Sequence, residues 1–590
     1  MSDVRDLATL IRRATQRHAP ETLFRVDRGH DWTRVTFADL AHDEVRLRAA
    51  LARLGVKPGD RVGVIAKNRP EWAVVLAATL AAGAVIVPMY EVQSADDWRH
   101  ILRDAKARVC FASTDAIYDR VRGMLGDLPD LGHLVGIDRA KPDDTSYRHL
   151  LGASSPEDAC PVELEPEPGE AAAFIYTSGT TGKPKGVRLS HAAFVFEMNA
   201  MADEWDIGPG DRNVSILPWA HVGGFCELLV SIDRGVAMAL PSSFERLGEA
   251  LRVTKPTLMA AVPRVWNAFY DAIHKGMATK PPAVQWIWKA ALAAEKKKRA
   301  GVRPKKRERA ARRIARRVLF PAVRAKLGGE LRYAISGAAA LSKEVAELFE
   351  HVGIRVFEVY GQTETCAIST TNSPRRAKLG TVGRPVTGVR VEIDHAVGDA
   401  DDPRCGEIVL HTPGAMLGYH GLAAETASVI RPDGGIRTGD IGRLDEDGFL
   451  VITGRVREVY KLENGKFVAP VPIEEGLTLS PFILQAFVWG LNRPHNVALL
   501  VVDGPALRAW CDAKGVRASS GLLEHARVRE LFAQEIEQRA SAFKGYERVR
   551  GFALLDEAFS TDNGMLTPTL KVKRGAVLAK HRDVLEKLYG

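Results

Sequence analysis

The stretch YTSGTTGKPKGV, from Tyr176 to Val187, decides the fold of this chain. It follows the apolar run AAAFIY (171–176), which is typical of a buried strand. Its glycines let the backbone curl and present N–H groups to an anion, while its hydroxyl and lysine side chains donate to phosphate oxygens. Pro184 follows Lys183, where a Walker A loop needs Ser or Thr. The stretch therefore predicts a phosphate-binding loop of another type at the end of a buried strand.

The length and composition around this loop indicate a folded chain with two or more domains. The 590 residues are too many for one hydrophobic core, and 46% hydrophobic with 26% charged residues is ordinary for a globular protein. The six cysteines are scattered without a C-x-x-C pair, which argues against a disulfide framework and a structural zinc site. The N-terminus mixes both charges and lacks the apolar core of a signal peptide, so we expect a cytoplasmic location.

Residues 33–125 alternate between helical and strand patterns. LAHDEVRLRAALARLG (40–55) has helical periodicity, and RVGVIAK (61–67) has the composition of a buried strand. The apolar stretch from Trp72 to Met89 is long enough to span a bilayer, but Gly83 interrupts it and Pro88 lies near its end. We therefore interpret it as a buried helix followed by a buried strand. This alternation predicts an α/β fold with a parallel sheet covered by helices.

The rest of the chain divides into regions of different pattern. Further strands are predicted at 331–336, 354–360 and 407–411, and short strands with glycine turns over 380–454 predict a small β-rich lobe. After about residue 456, strands at 485–491 and 497–503 are followed by charged helices, which predicts a small α+β domain.

Three more motifs follow along the chain, the first two directly after predicted strands. SGAAAL (336–341) offers a small-residue turn on which a flat adenine can lie. YGQTE (360–364) ends in Glu364, whose carboxylate suits Mg²⁺ bridging phosphates. TGD (438–440) offers Asp440 as an acceptor for ribose hydroxyls, as ribose-binding carboxylates do in other nucleotide folds.

In this order, the motifs resemble those of the adenylate-forming (AMP-binding) superfamily, which contains acyl-CoA synthetases, adenylation domains and luciferases. YKLENGKFVAP (460–470) and NGMLTPTLKVKR (563–574) make the resemblance closest to long-chain fatty acyl-CoA synthetases. It implies a large N-terminal AMP-binding domain, residues 1–456, made of helix-covered sheets and a β-rich lobe. It also implies a smaller mobile α+β domain, residues 457–590.

The resemblance also implies roles for individual residues. Glu364 would hold the metal, Thr180 and Lys571 would act in catalysis, and Lys571 would swing into the adenylation site. Thr363 would donate to the α-phosphate, and Tyr360 would stack on adenine. The residues expected to bind ATP or CoA are Thr177, Ser178, Gly179, Thr180, Thr181, Gly182, Lys183, Lys185, Gly337, Ala338, Tyr360, Gly361, Gln362, Thr363, Asp440, Arg455 and Gly465.

Other implied roles concern the acid, coenzyme A and the hinge. His221 and Phe225 fall where relatives border the acyl pocket, with Phe225 as an aromatic gate. Gly465 falls where a glycine lets pantetheine pass close to the backbone. Arg457 falls at the hinge, where relatives usually carry Asp or Lys, so this residue departs from the pattern.

The implied reaction is a two-step ligation that uses ATP, Mg²⁺ and coenzyme A. A fatty acid forms an acyl-adenylate and pyrophosphate, and the acyl group then passes to coenzyme A. One alternative is a fatty-acyl-AMP ligase that delivers its product to a carrier protein. Another is a non-catalytic, nucleotide-binding homologue that associates with membranes.

The basic charge of the chain is concentrated in one segment. Residues 289–326 contain sixteen Lys or Arg and two Glu, so their local charge of +14 exceeds the +9 of the whole chain. The remainder is therefore net acidic, and nucleic acid is not an expected partner. With the apolar PPAVQWIWKAAL (281–292) beside it, the segment predicts peripheral contact of residues 281–326 with an anionic membrane, at the inner membrane surface.

Overall fold

The computed structural model describes residues 4–139, 145–154, 165–177, 183–396, 402–516, 521–540, 543–567 and 571–589. These residues form two compact units. The first contains the described residues within Met1–Gly179, Lys183–Val391 and Leu410–Arg437, and the second contains those within Glu392–Val409 and Thr438–Gly590. Each unit has hydrophobic clusters of its own.

In chain order, the strands of the described residues are β1 (Thr22–Asp27), β2 (Trp32–Thr36), β3 (Arg61–Ile65), β4 (Val85–Met89), β5 (Ala107–Ala112), β6 (His133–Gly136), β7 (Ala171–Thr177), β8 (Lys185–Ser190), β9 (Arg212–Val214), β10 (Ala237–Leu240), β11 (Leu258–Ala261), β12 (Tyr333–Ser336), β13 (Val356–Tyr360), β14 (Thr370–Thr371), β15 (Arg384–Pro385), β16 (Arg390–Asp394), β17 (Gly406–His411), β18 (Gly418–Tyr419), β19 (Ile436–Leu444), β20 (Leu450–Arg455), β21 (Tyr460–Lys461), β22 (Phe467–Val468), β23 (Ile483–Trp489), β24 (Asn496–Val502) and β25 (Val549–Leu555).

The α-helices are α1 (Leu7–Arg17), α2 (Phe37–Arg53), α3 (Pro70–Ala81), α4 (Ala95–Asp104), α5 (Asp115–Arg122), α6 (Tyr147–Gly152), α7 (His191–Glu204), α8 (Val222–Arg234), α9 (Leu247–Thr254), α10 (Pro263–Ala278), α11 (Pro282–Arg299), α12 (Lys306–Arg317), α13 (Leu319–Lys326), α14 (Lys343–Val352), α15 (Ala423–Val429), α16 (Pro470–Leu477), α17 (Gly504–Lys514), α18 (Ala526–Ala540) and α19 (Arg574–Glu586).

The first unit contains a seven-stranded sheet in the order β18-β8-β7-β4-β3-β5-β6. Its strands from β7 through β4, β3 and β5 to β6 are parallel, whereas β8 and β18 continue the sheet in antiparallel pairing. This confirms the parallel, helix-covered sheet predicted from the alternating pattern of residues 33–125. The phosphate-binding stretch connects β7 to β8 at the carboxyl end of β7.

The apolar stretch from Trp72 to Met89 forms helix α3 and strand β4, as the sequence predicts. Pro70 begins the helix at its first position, where a missing N–H leaves no hydrogen bond unmade. Every residue from Trp72 to Leu80 is buried, which explains the lack of a polar face. Among the described residues, no helix combines the length and apolar character needed to cross a membrane.

The first unit also contains a nine-stranded sheet in the order β15-β14-β13-β12-β11-β9-β10-β1-β2. The strands from β1 to β13 in this order are parallel, with antiparallel strands at both edges. Because β12 and β13 are parallel neighbours, the turns that follow them lie at the same edge of the sheet. These turns begin at Gly337 and Gly361 and carry two of the predicted motifs.

The second unit has the α+β character predicted for the C-terminal part of the chain. Strands β23, β24 and β25 form one sheet, with apolar clusters that include residues from α16 to α19. Most of a four-stranded sheet, β16-β17-β19-β20, belongs to the same unit and corresponds to the predicted β-rich lobe. Compactness does not locate a hinge, so the domain boundary at residues 456 and 457 stays a prediction.

Candidate active site

The hairpin of β7 and β8 fixes both ends of the phosphate-binding stretch. Thr177 pairs with Lys185, and Tyr176 pairs with Gly186. The Tyr176 hydroxyl donates to Asp104 at 2.5 Å, and burial followed by this contact raises the pKa of the phenol. A Cβ on Gly186 would lie 2.8 Å from the Tyr176 ring, so a glycine is needed here. Five predicted residues, Ser178, Gly179, Thr180, Thr181 and Gly182, lie outside the described residues.

Two of the predicted motifs meet through a residue that neither of them contains. The ammonium of Lys185, from the phosphate-binding stretch, lies 5.3 Å from the centre of the Tyr419 ring. The Tyr419 hydroxyl donates to Oε1 of Glu364, from YGQTE, at 2.8 Å. Lys185 and Glu364 are therefore brought together, whereas Lys183 is exposed. Sequence reasoning missed Tyr419, which lies 55 residues after Glu364 in a Gly–Tyr pair without a distinctive local pattern.

The turn that carries Glu364 has a constrained backbone. Thr363–Thr365 form one 3₁₀ turn, and Cys366 and Ala367 follow with φ of 56° and 86°, the left-handed region that residues other than glycine rarely adopt. A Cβ on Gly361 would lie 1.9 Å from the Ala367 carbonyl oxygen, so only glycine fits this close approach. Such constrained conformations persist where surrounding contacts fix them.

A buried carboxyl group supports this turn. Glu197 of α7 accepts the backbone N–H of Ile368 at 3.0 Å, and the carboxyl group is fully buried. Burial raises the pKa of this carboxyl group well above its usual range. Its hydrogen bond to Ile368 fixes the end of the turn.

The small-residue turn after β12 lies beside the end of β13. A Cβ on Gly337 would lie 2.8 Å from Cγ2 of Val359, so the two segments pack closely. Ala338 has φ of 71° and is exposed. Tyr360, at the end of β13, is 9% exposed and thus offers little ring surface to a ligand in this state. Its predicted stacking on adenine stays a prediction.

The residues predicted to border the acid pocket lie at the start of α8. His221 caps this helix, because its Nδ1 accepts the Gly223 N–H at 3.1 Å. Phe225 is fully buried between Phe194, stacked at 4.8 Å between ring centres, and Trp72, edge-on at 5.8 Å. In this state Phe225 is therefore a packed core residue, and its predicted role as a gate stays a prediction.

A buried polar network, missed by the sequence analysis, holds the loop that leads to His221. Ser215 and Asn213 donate to the carboxyl group of Glu227 at 2.6 and 3.0 Å. Trp219 donates through its indole to Ser215 at 3.1 Å and through its backbone to Asn68 at 2.9 Å. Burial raises the pKa of Glu227 to about 7, against the two hydrogen bonds that lower it.

The second unit brings together the two predicted ribose-binding residues. Asp440 and Arg455 are directly paired on strands β19 and β20, and Nε of Arg455 donates to Asp440 at 2.5 Å. Thr438 accepts the Asp440 N–H at 3.0 Å and donates to the Ile408 carbonyl at 2.7 Å. Asp440 is 5% exposed; Arg455 holds its carboxylate, and Thr438 holds its backbone N–H.

The remaining predicted residues of this unit lie on turns. Lys571 is exposed, and its backbone exchanges hydrogen bonds with Thr567, whose N–H donates to the Lys571 carbonyl at 2.8 Å. Gly465 lies in the exposed turn between β21 and β22 with φ of 79°, and a Cβ there would meet open space among the described residues. Arg457 is exposed just after β20.

Comparison with known proteins identifies the class. The sequence model of the AMP-binding enzyme family matches residues 11–420, and the chain belongs to this family. The long-chain-fatty-acid–CoA ligase FadD15 of Mycobacterium bovis is 33% identical over 95% of this chain and 92% of its own length. The peroxisomal long chain acyl-CoA synthetase 7 of Arabidopsis thaliana is 30% identical over 95% of this chain and 82% of its own.

Solved structures share the fold. The anthranilate CoA ligase AuaEII in complex with anthranoyl-AMP superimposes with a TM-score of 0.75 and 19% identity, covering 99% of this chain and 98% of that one. A Mycobacterium tuberculosis fatty acyl CoA synthetase superimposes with a TM-score of 0.63 and 20% identity, covering 98% and 99% of the two chains. Both likenesses extend over nearly the whole chain.

Substitution of the buried Asp440 tests the ribose site. Asp440→Asn should weaken ATP binding about tenfold or more, because hydrogen bonds to a charged group contribute about 1.5–3 kcal/mol. The measurement is isothermal titration with ATP and with dideoxy-ATP, which lacks the ribose hydroxyls. The wild type should prefer ATP, and Asp440→Asn should bind both nucleotides with similar affinity.

Asp447 supplies the matched control for this test. It is an exposed aspartate in the turn that connects β19 to β20, so Asp447→Asn makes the same chemical change in the same hairpin. It should leave the preference for ATP unchanged. An Asp440→Asn protein that kept the full preference would rule out the ribose assignment.

Proposed function

We propose that the protein is a long-chain fatty acid:CoA ligase that forms AMP. A fatty acid carboxylate attacks the α-phosphorus of ATP, and the bond to pyrophosphate breaks to leave an acyl-adenylate. The sulfur of coenzyme A then attacks the acyl carbon, the thiol loses its proton, and AMP leaves. The products are acyl-CoA, AMP and pyrophosphate.

The contact of Tyr419 with both Lys185 and Glu364 is the observation that carries the proposal. It joins a basic residue of the phosphate-binding stretch to a carboxylate suited to a metal. A site for a nucleoside triphosphate requires both kinds of group. The relatives that are at least 30% identical over nearly all of this chain carry the names of long-chain ligases, which supports the choice of acid. Coenzyme A as acceptor rests on the same names.

Glu364 fits a magnesium ion by its chemistry. Its carboxylate is half-buried, and Oε1 is oriented by the Tyr419 hydroxyl. Magnesium prefers such oxygen ligands, and when bound it would neutralise phosphate charge. Lys185 would add a second positive charge, and Asp440 would hold the ribose. The residues of the chain mainly orient the reacting groups and stabilise the charge that develops during transfer.

Two exposed turns of the second unit would serve the two half-reactions in turn. Lys571 would stabilise the charge that develops between the carboxylate and the α-phosphate. Gly465 would then let the pantetheine of coenzyme A pass, and the backbone around Arg457 would absorb the rotation between the two states. A hinge closure of this kind changes the backbone at few residues.

A panel of acids from acetate to oleate tests the proposed function. With ATP and Mg²⁺, pyrophosphate release should be fastest for the long-chain acids, as measured in a coupled spectrophotometric assay. Acyl-CoA should form only when coenzyme A is present. Pyrophosphate release without any thioester product would favour a fatty-acyl-AMP ligase, and no release with any acid would favour a non-catalytic homologue.

The separation of the half-reactions gives a second prediction. Lys571→Ala should reduce acyl-adenylate formation by a factor of about 10²–10³, because it removes a charge that acts in the transition state. With pre-made acyl-adenylate and coenzyme A, the same variant should form thioester at nearly the normal rate. Gly465→Leu should show the reverse pattern, because its side chain fills the space that pantetheine needs. Quenched-flow measurements of each half-reaction decide the question.

Two control variants keep this test specific. Lys573→Ala removes a neighbouring lysine and should preserve adenylation. Gly521→Leu places the same side chain on an exposed glycine with φ of 67°, so it reproduces the backbone strain of Gly465→Leu without obstructing coenzyme A. If Lys571→Ala and Gly465→Leu lost both half-reactions equally while their melting curves stayed normal, the alternation would be wrong.

The basic segment forms a helical hairpin of α11 and α12. Lys297 contacts Glu308 at 2.6 Å, and Glu295 contacts both Arg312 and Arg316 at 2.8 Å, so the two helices are antiparallel. Both glutamates of the segment therefore form ion pairs between its two helices. Arg309, Arg313 and Arg317 lie four residues apart on α12 and are exposed, as the outer face of an amphipathic helix requires.

Exposed apolar side chains accompany this charge. Trp286 is 53% exposed at the start of α11, and Val318, just after α12, is 60% exposed. Both lie at the same end of the hairpin, because the rings of Trp288 and Phe320 contact each other with centres 5.8 Å apart. Trp favours the interface of a bilayer, and basic residues favour anionic headgroups. We therefore propose that the hairpin binds the surface of an anionic membrane.

Vesicle binding tests this surface. The wild type should bind vesicles that contain an anionic phospholipid more tightly than vesicles of phosphatidylcholine alone, and salt should weaken the binding. Changing Arg309, Arg313 and Arg317 together to Gln should reduce anionic binding about a hundredfold, at about 1 kcal/mol per basic residue. Flotation with vesicles of both compositions measures the effect.

The control removes the same charge elsewhere. Arg120, Lys343 and Lys514 are exposed, so their triple change to Gln lowers the net charge equally. This variant should bind like the wild type. Equal binding of the wild type to neutral and anionic vesicles, or an equal loss in both triple variants, would overturn the proposed surface.

A further inference from the structure

The segment from Met416 to His420 is fastened to both motifs that meet at Lys185 and Glu364. On one side, the Met416 N–H donates to the carbonyl oxygen of Glu364 at 2.9 Å. On the other side, Leu417 and His420 donate to carbonyl oxygens of strand β8, each at 2.8 Å. The backbone of Tyr419 is thus fixed relative to the first residue of β8, Lys185, and to the turn of Glu364.

The local conformation around Tyr419 is fixed as well. Gly418 has φ of 117°, and a Cβ there would lie 2.8 Å from Cγ2 of Thr426, so glycine is required. The hydroxyl of Thr426 accepts the Tyr419 N–H at 2.9 Å and donates to the Leu422 carbonyl at 2.8 Å. These contacts fix the backbone of Tyr419, and the hydrogen bond of its hydroxyl to Glu364 sets the direction of its ring.

The phenol acts on each neighbour through a different part. Its hydroxyl donates to Oε1 of Glu364 at 2.8 Å, which orients the carboxylate and leaves Oε2 for a metal. The face of its ring attracts the Lys185 ammonium, 5.3 Å from the ring centre. One side chain therefore sets the direction of a negative and of a positive group.

We infer that Tyr419 is a positioning residue that orients Glu364 toward Mg²⁺ through its hydroxyl and holds Lys185 beside the same phosphates through its ring. The inference rests on the proposed function, because that function makes Glu364 the metal ligand. It adds a residue from outside both motifs and assigns one role to the hydroxyl of that residue and another role to its ring. The tasks can be separated because Phe retains the ring and removes only the hydroxyl.

The first test is Tyr419→Phe. Outer hydrogen bonds to metal ligands typically contribute 10–100-fold to metal affinity, so the Mg²⁺ concentration for half-maximal activity should rise about tenfold or more. At saturating Mg²⁺, kcat and the KM for ATP should stay near their normal values. Isothermal titration with ATP at stepped Mg²⁺ concentrations should show the same shift, as a readout independent of turnover. A normal Mg²⁺ dependence would overturn the role of the hydroxyl.

The second test is a double-variant cycle with Glu364→Gln. If Tyr419 acts through Glu364, then Tyr419→Phe should add no further change in Mg²⁺ dependence once the carboxylate is gone. An added shift of the same size as in the wild-type background would contradict this route. A loss of melting temperature that tracks the Mg²⁺ shift in both variants would assign Tyr419 to stability alone.

The third test separates the ring from the hydroxyl. Tyr419→Leu should raise the KM for ATP at saturating Mg²⁺, because Lys185 loses its partner, whereas Tyr419→Phe should not. Equal KM values in the two variants would overturn the role of the ring. Failure of the proposed function would give a different result. If the wild type made no acyl-CoA, the Mg²⁺ dependence of ATP binding could still be measured by isothermal titration in the wild type and in each variant.

Discussion

Strand β8 is hydrogen-bonded along both of its edges, and the candidate site in the first unit depends on this double pairing. On one edge β8 pairs with β7, which closes the phosphate-binding stretch into a hairpin. On the other edge it pairs with the two-residue strand β18, which carries Tyr419. Strand β8 begins at Lys185 and is paired with β18, and just before β18 the Met416 N–H donates to the Glu364 carbonyl oxygen. The backbones of Lys185 and Glu364 are therefore held relative to each other by hydrogen bonds. The sheet fixes the backbone of these residues, and the side chain of Tyr419 connects Lys185 with Glu364.

Buried carboxyl groups are the second means by which the first unit holds its loops. Glu197 fixes the turn after Glu364, Glu227 fixes the loop before His221, and Glu358 accepts the Leu341 N–H beside the small-residue turn at 3.3 Å. Burial raises the pKa of each group, to about 7 for Glu227 and Glu358. The partners of all three groups among the described residues are N–H or O–H donors, so each carboxyl group holds its segment by accepting hydrogen bonds.

The sequence predicts most of the fold because hydrophobic periodicity and strand-end motifs are local signals. The strands at 171–176 and 354–360 and the helix after Trp72 are found within one or two residues of their expected places. Tyr419 and Glu197 could not be predicted in this way, because their partners lie 55 and 171 residues away along the chain. For Phe225 the motif predicts a role that the packing does not display. Its position in the motif indicates a gate, whereas its contacts with Phe194 and Trp72 make it part of the core. A single sequence records which residues are present, whereas these contacts depend on which strands become neighbours.

Two groups of charged residues in the hairpin of α11 and α12 have different positions. One group joins the two helices, and the other lies on the outer face of α12. The two glutamates of the hairpin form ion pairs with Lys297, Arg312 and Arg316, and these pairs join the two helices without using the arginines of the outer face. Substitutions at Arg309, Arg313 or Arg317 should therefore leave the packing of the buried Ala311 and Ala315 intact. The outer face of α12 is thus a surface whose charge can be changed without a change in the ion pairs that hold the hairpin together.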